Sequence, residues 1–112
     1  MDSTRARELL TRERVRVESA IAGLDRDGPL EASGRIEPGD LGSEDLYEDE
    51  LALGRREALR EELAAVERAE ARLAAGTYGR SVESGEPISD LRLEAIPTAE
   101  RTLEEQERYD RG

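Results

Sequence analysis

The sequence predicts a mainly α fold: an antiparallel, coiled-coil-like helical hairpin, then a small knuckle of turns and a short C-terminal helix. Three observations predict it. Apolar residues recur at spacings of three, four and seven in two long stretches, as one buried helix face requires. Between them, residues 25–42 (DRDGPLEASGRIEPGDLG) hold four Gly and two Pro among mixed charges, which reads as a long loop. Beyond residue 75 the monotonous Ala, Glu, Leu and Arg give way to GTYGRSVESGEPISDLRLEAIPTA, a segment punctuated by turn residues.

The first helix is expected over residues 2–24. Asp2, Ser3 or Thr4 caps it, and Ala6, Leu10, Val17, Ala20, Ile21 and Leu24 mark its apolar face, interrupted by Glu13. The second begins at Ser43 and runs to residue 75. Glu44 and Asp45 in its first turn suit the positive end of the helix dipole. Leu59, Leu63, Val66 and Leu73 form its strongest stripe, with Leu46 and Ala52 further up and Glu70 interrupting. Such a helix extends about 48 Å at about 1.5 Å per residue and needs a partner along its length. The first helix supplies one, which gives a hairpin over 1–75 with its tip near 25–42. Gly76 stops the second helix. The knuckle follows over 76–112 and ends in a short charged helix opening near Thr98.

Composition narrows the function. Only 36% of the 112 residues are apolar and 3% aromatic, too little for a large globular core, while regular apolar spacing argues against disorder. A net charge of −11 opposes direct nucleic-acid binding and docking on an anionic membrane, and favours a basic protein surface. No apolar run is long enough to span a bilayer and the N-terminus lacks a signal-peptide core, so the expected location is cytoplasmic. There is no His, Cys or Lys; all 17 basic residues are Arg. Acid–base chemistry would rest on carboxylates with no apolar pocket to tune them, so an enzyme is not expected.

The knuckle carries a specific pattern. Gly76, Thr77, Tyr78, Gly79, Gly85, Glu86, Pro87, Ile88, Arg92, Leu93, Glu94, Ala95, Pro97, Thr98 and Ala99 stand at unbroken spacing. This run resembles the zinc-finger segment of the DksA/TraR family of bacterial transcription regulators, where GTYG is followed by C-x-x-C-G-x-x-I, RLEA-x-PTA and a second C-x-x-C. Residues 43–63 resemble the second hairpin helix of shorter family members more weakly. The four positions of the family's zinc-binding cysteines hold Ser81, Ser84, Thr102 and Glu105. Neutral hydroxyls and a lone carboxylate are poor zinc donors, so the module is expected to be a degenerate, metal-free zinc finger with no cofactor. Tyr78, Val82, Ile88, Leu91, Leu93, Ile96 and Leu103, packed on one another, are expected to replace the ion's contribution to folding. Ser81 and Ser84 are expected to satisfy turn backbone groups.

The resemblance implies a partner. Family members insert the hairpin into the secondary channel of RNA polymerase and bring tip aspartates near its catalytic magnesium. The family tip reads D-x-x-D-x-A; aligned without gaps, this chain has Asp40, Ser43 and Asp45 there, and Glu44 and Asp45 become substitutes after a small shift. Asp40, Glu44 and Asp45 are the candidate partner-binding residues. Ser43, Glu44 and Asp45 also read simply as a cap and a favourable first turn. The alternative is a non-enzymatic scaffold or interaction module that keeps the fold with a different partner. The sequence leaves the oligomeric state open.

Overall fold

In the computed structural model, the described residues are 1–26 and 43–112, except for the side chains of Arg26 and residues 43–46. They form four helices: α1 (Ser3–Arg26), α2 (Ser43–Ala75), α3 (Asp90–Ala95) and α4 (Leu103–Arg111). The chain divides into two compact units, Met1–Val15 with Ala64–Gly112, and Arg16–Leu63.

In the first unit, α1 and α2 run antiparallel. Ala6, Leu9 and Leu10 from α1, and Val66 and Ala69 from α2, are buried. Burying a Leu or Val side chain contributes about 1.5–3 kcal/mol, so this short seam does most to hold the helices together. Glu70, the interruption in the α2 stripe, accepts two hydrogen bonds from the Arg14 guanidinium at 2.7 and 3.1 Å. The break in apolar pattern on one helix is thus matched by a cation on the other. Leu9 and Ala69 belong to the seam although the stripe read from spacing omits them.

In the second unit the same antiparallel sense is set by Arg16 with Glu62 at 3.4 Å and Arg56 with Asp25 at 3.2 Å. Val17 is fully buried there, whereas Ala20, Ile21 and Leu24 are half-buried. α1 extends to Arg26, two residues beyond its expected end. Gly54 lies inside α2, is exposed, and has open space where a Cβ would stand. Gly54→Ala is therefore expected to stabilise the protein by about 0.5–1 kcal/mol. A matched pair of urea melts checks this.

α2 ends where expected. Gly76 has φ +79°, its amide donates to the Leu73 carbonyl, and the Thr77 amide donates to the Arg72 carbonyl at 2.9 Å. This paired termination needs a left-handed residue, which glycine supplies without steric cost. The chain then folds back on itself. The Ile88 amide donates to the Gly79 carbonyl and the Ser81 amide to the Glu86 carbonyl, both at 2.8 Å. Between them lies a single antiparallel bridge, Arg80 to Pro87.

Two features of the knuckle differ from expectation. α3 is a helix that spacing does not announce: Ser89 caps it by accepting from the Arg92 amide. α4 opens at Leu103 with Thr102 as its cap, four residues after Thr98. Six residues are too few for helical periodicity to show, and the true cap of α4 lies in a position read only as a lost metal ligand.

Candidate functional site

The knuckle core is small. Ile88, Leu93 and Ala99 are buried together, with Tyr78 packed against them. The Tyr78 hydroxyl donates to the Pro97 carbonyl at 2.8 Å, and burial raises its pKa above the ordinary phenol value. The expectation that seven apolar side chains fill this space is corrected. Val82, Leu91, Ile96 and Leu103 are exposed, Leu91 at 84%. Leu91, Ile96 and Leu103 instead line an open groove of about 610 Å³, with Glu86 and Glu104 beside them. Alternation of apolar and turn residues cannot tell which side of so thin a module faces solvent.

What the apolar residues leave undone, polar ones do. Ser81, Ser84, Thr102 and Glu105 come together in space. Ser81 and Glu105 are 5% and 6% exposed. The Ser81 hydroxyl accepts from the amides of Glu83 and Ser84, and the Ser84 hydroxyl accepts from the amide of Glu86. Both serine side chains also act on the Glu105 carboxylate, favouring its charged form. Each hydroxyl has one proton and two lone pairs, so it can take backbone amides and still donate to the carboxylate. The serines therefore satisfy turn amides, as the sequence suggests.

Thr102 and Glu105 complete the arrangement as a capping box. The Thr102 hydroxyl accepts from the Glu105 amide at 3.2 Å, and a Glu105 carboxylate oxygen accepts from the Thr102 amide at 2.9 Å. This satisfies two amides that a helix start leaves orphaned. The Ser81 side chain, the hydrogen bond from the Thr102 amide and the Ser84 side chain pull the Glu105 carboxyl down from 4.5 to about 2, against burial, which pushes it up. The signal was present in the sequence: T-x-x-E at 102–105 is a capping-box pattern and S-x-x-S at 81–84 a turn pattern.

These four residues do not fit a structural zinc site. Such a site needs four thiolate or imidazole donors. Here the only anionic group is one carboxylate already engaged by hydrogen-bond donors. Among the described residues no group of three or more His, Cys, Asp or Glu is placed to hold a metal ion.

The seam between the 81–84 turn and the segment before α4 has further ties. The Val82 amide donates to the Glu100 carbonyl at 2.8 Å. Arg101 donates to Glu83 at 3.0 Å while its guanidinium lies 3.9 Å over the Tyr109 ring. Arg92 donates to the Arg101 carbonyl at 3.0 Å. The same unit joins the knuckle to the base of the hairpin through ions. Arg5 grips Glu94 with two bonds of 2.7 and 2.8 Å, which lowers the Glu94 pKa. The terminal amine of Met1 lies 2.9 Å from Asp90, and Arg68 and Arg72 both reach Glu100. Singly, the exposed pairs among these, such as Arg5 with Glu94, contribute about 0–1 kcal/mol; together the pairs tie the knuckle to the hairpin's base.

The tip candidates have a different standing. Asp40 lies outside the described residues, as do the side chains of Glu44 and Asp45, whose backbone falls in the first turn of α2. Among the described residues no helix is long and apolar enough to cross a membrane.

Comparison with known proteins follows the same division. Residues 76–111 match the family model of the prokaryotic dksA/traR C4-type zinc finger. Over 61 residues, 54% of its length, the chain is 43% identical to the RNA polymerase-binding transcription factor DksA of two Caulobacter vibrioides strains, NA1000/CB15N and ATCC 19089/CIP 103742/CB 15. The matched segment spans 43% of the length of those relatives. The solved structure of transcription factor DksA2 from Pseudomonas aeruginosa superposes with a TM-score of 0.83 at 32% identity. That superposition covers 97% of this chain and 83% of the other. A helical hairpin with a C-terminal knuckle, shared at this identity over nearly all its length, makes the chain a member of the DksA/TraR family.

Proposed function

We propose that the protein is a transcription regulator that acts by binding RNA polymerase and not DNA. The observation that carries this reading is the likeness to DksA2 over 97% of the chain, hairpin and knuckle alike. The charge is in keeping with it. A net −11 is repelled by a phosphate backbone and attracted by a basic protein channel. On this reading residues 1–75 form the hairpin that enters the polymerase's secondary channel, with Asp40, Glu44 and Asp45 near its tip. Residues 76–112 form a knuckle that needs no zinc. The protein works in the cytoplasm by contact alone, with no reaction of its own.

A pull-down with core RNA polymerase at low and at physiological salt tests the reading. Binding that weakens as salt rises is expected, because the attraction is between opposite charges. No binding at either salt contradicts it. The triple variant Asp40→Asn, Glu44→Ala, Asp45→Asn is expected to keep full helical circular dichroism and to change transcription in a purified system. An unchanged transcription profile would instead favour the scaffold alternative, in which the tip acids only begin a helix.

A further inference from the structure

Three large aliphatic side chains of the knuckle stay outside its core and meet in one place. Leu91, Leu103 and Ile96 are 84%, 57% and 45% exposed, and all three line the open groove of about 610 Å³. The fold keeps them there. Helix residues two apart point to different sides, so Leu91 cannot share the core that buries Leu93, and Leu103 cannot turn inward beside a buried Glu105. Much of the polar lining is already committed. The Ser89 and Thr102 hydroxyl oxygens accept from the amides of Arg92 and Glu105, and Arg92 Nε donates to the Arg101 carbonyl. What remains is a pair of carboxylates. Among the described residues, Glu83, Glu94 and Glu100 of the knuckle each meet an arginine, whereas Glu86 and Glu104, both in the groove, have no cationic partner. Glu104 has a favourable place in the first turn of α4, but Glu86 lies in no helix and has no such local role.

We propose that this groove is a docking surface for a protein segment that carries aliphatic side chains flanked by arginine or lysine, as a basic amphipathic helix does. The surface lies on the knuckle, goes beyond binding through the hairpin and does not depend on that reading. An apolar patch with a polar rim marks a contact site, and a helix laid in such a groove anchors by side chains three or four apart. The two unpaired carboxylates select the charge of that helix, since each gains a partner only from a cation. They equally oppose a nucleotide, a nucleic acid or an anionic lipid, whose phosphates they repel. A second copy of the chain brings a net charge of −11 and is repelled in the same way.

The test titrates isotope-labelled full-length protein with two synthetic amphipathic peptides that share one leucine face, the first flanked by arginine and the second by glutamate. The arginine peptide is expected to shift the amide resonances of Leu91, Ile96 and Leu103 saturably, and less strongly as salt rises. The glutamate peptide is expected to leave them in place. The double variant Leu91→Ser, Leu103→Ser is expected to lower the affinity about tenfold or more, as loss of apolar anchors does. Glu86→Gln with Glu104→Gln is expected to lower it several-fold at low salt and to remove most of the salt dependence. All four side chains are exposed, so both variants are expected to keep the wild-type circular dichroism. No saturable shift at the groove, shifts spread evenly over the acidic helices, or an equal response to both peptides overturns the inference. So does a concentration-dependent doubling of mass that the leucine variant abolishes, which would seat a second copy in the groove. Binding of phosphatidylcholine–phosphatidylglycerol vesicles in place of the arginine peptide overturns it as well.

Discussion

Leu93→Ala is expected to cost about 2–5 kcal/mol and to lower the urea midpoint by about 1–2 M. Leu93 is 1% exposed and shares its cluster with only Ile88, Ala99 and the flank of Tyr78. Truncation removes its transfer free energy and leaves a void. The neighbours that would collapse into that void are pinned: the Gly79 Cα lies close under the Leu93 side chain, so that a Cβ there would stand 3.5 Å from Leu93 Cδ1, and Tyr78 is held to Pro97 by its hydroxyl. Leu91 provides the control. It is two residues away and 84% exposed, so Leu91→Ala is expected to shift the midpoint little. Equal effects at the two positions would mean that the knuckle core is not the one described.

Acid is expected to weaken the wild type more than Glu105→Gln. The folded-state carboxyl of Glu105 is depressed from 4.5 to about 2, first by the Ser81 side chain and then by the Thr102 amide. A carboxyl depressed on folding contributes stability that is fully present above its unfolded value. That contribution is lost as the pH falls toward the folded one. The window therefore runs from above 4.5 down to about 2. Glutamine has no proton to take up there. At neutral pH the wild type is expected to melt several degrees above the variant, and the gap is expected to close on titrating through that window. Thermal melts of both proteins at matched ionic strength check it. A gap independent of pH would show that residue 105 acts through shape and not charge.

The two long helices were legible because a repeating apolar face leaves a trace in spacing, and both run close to the expected bounds. What spacing hides is the partner across a gap in sequence. Glu70 reads as a flaw in a stripe until Arg14, 56 residues away, is seen to meet it. The site shows the same limit. That Ser81, Ser84, Thr102 and Glu105 make a poor zinc set follows from their donor chemistry alone. That Ser81 comes near enough to Glu105 to act on its carboxyl depends on a fold bringing residues 81 and 105 together. The apolar substitution expected for the ion was a misreading of the knuckle's thickness. The apolar cluster of so small a module is Ile88, Leu93 and Ala99 with the flank of Tyr78, and Ser81 and Glu105 take up buried space beside it. α3 escaped notice because a single turn and a half carries no period, although Ser89 before Asp90 was a usable start signal.

The central claim is that side chains have replaced the metal in holding residues 76–111. Amide exchange across that segment, measured on purified protein with excess chelator and again with added zinc, tests it most directly. The account predicts the same protection pattern in both conditions, with the Ser81, Val82 and Ile88 amides protected, and no zinc retained through purification. Amides of the knuckle that lose protection when chelator is present, or a full equivalent of bound zinc, would contradict it.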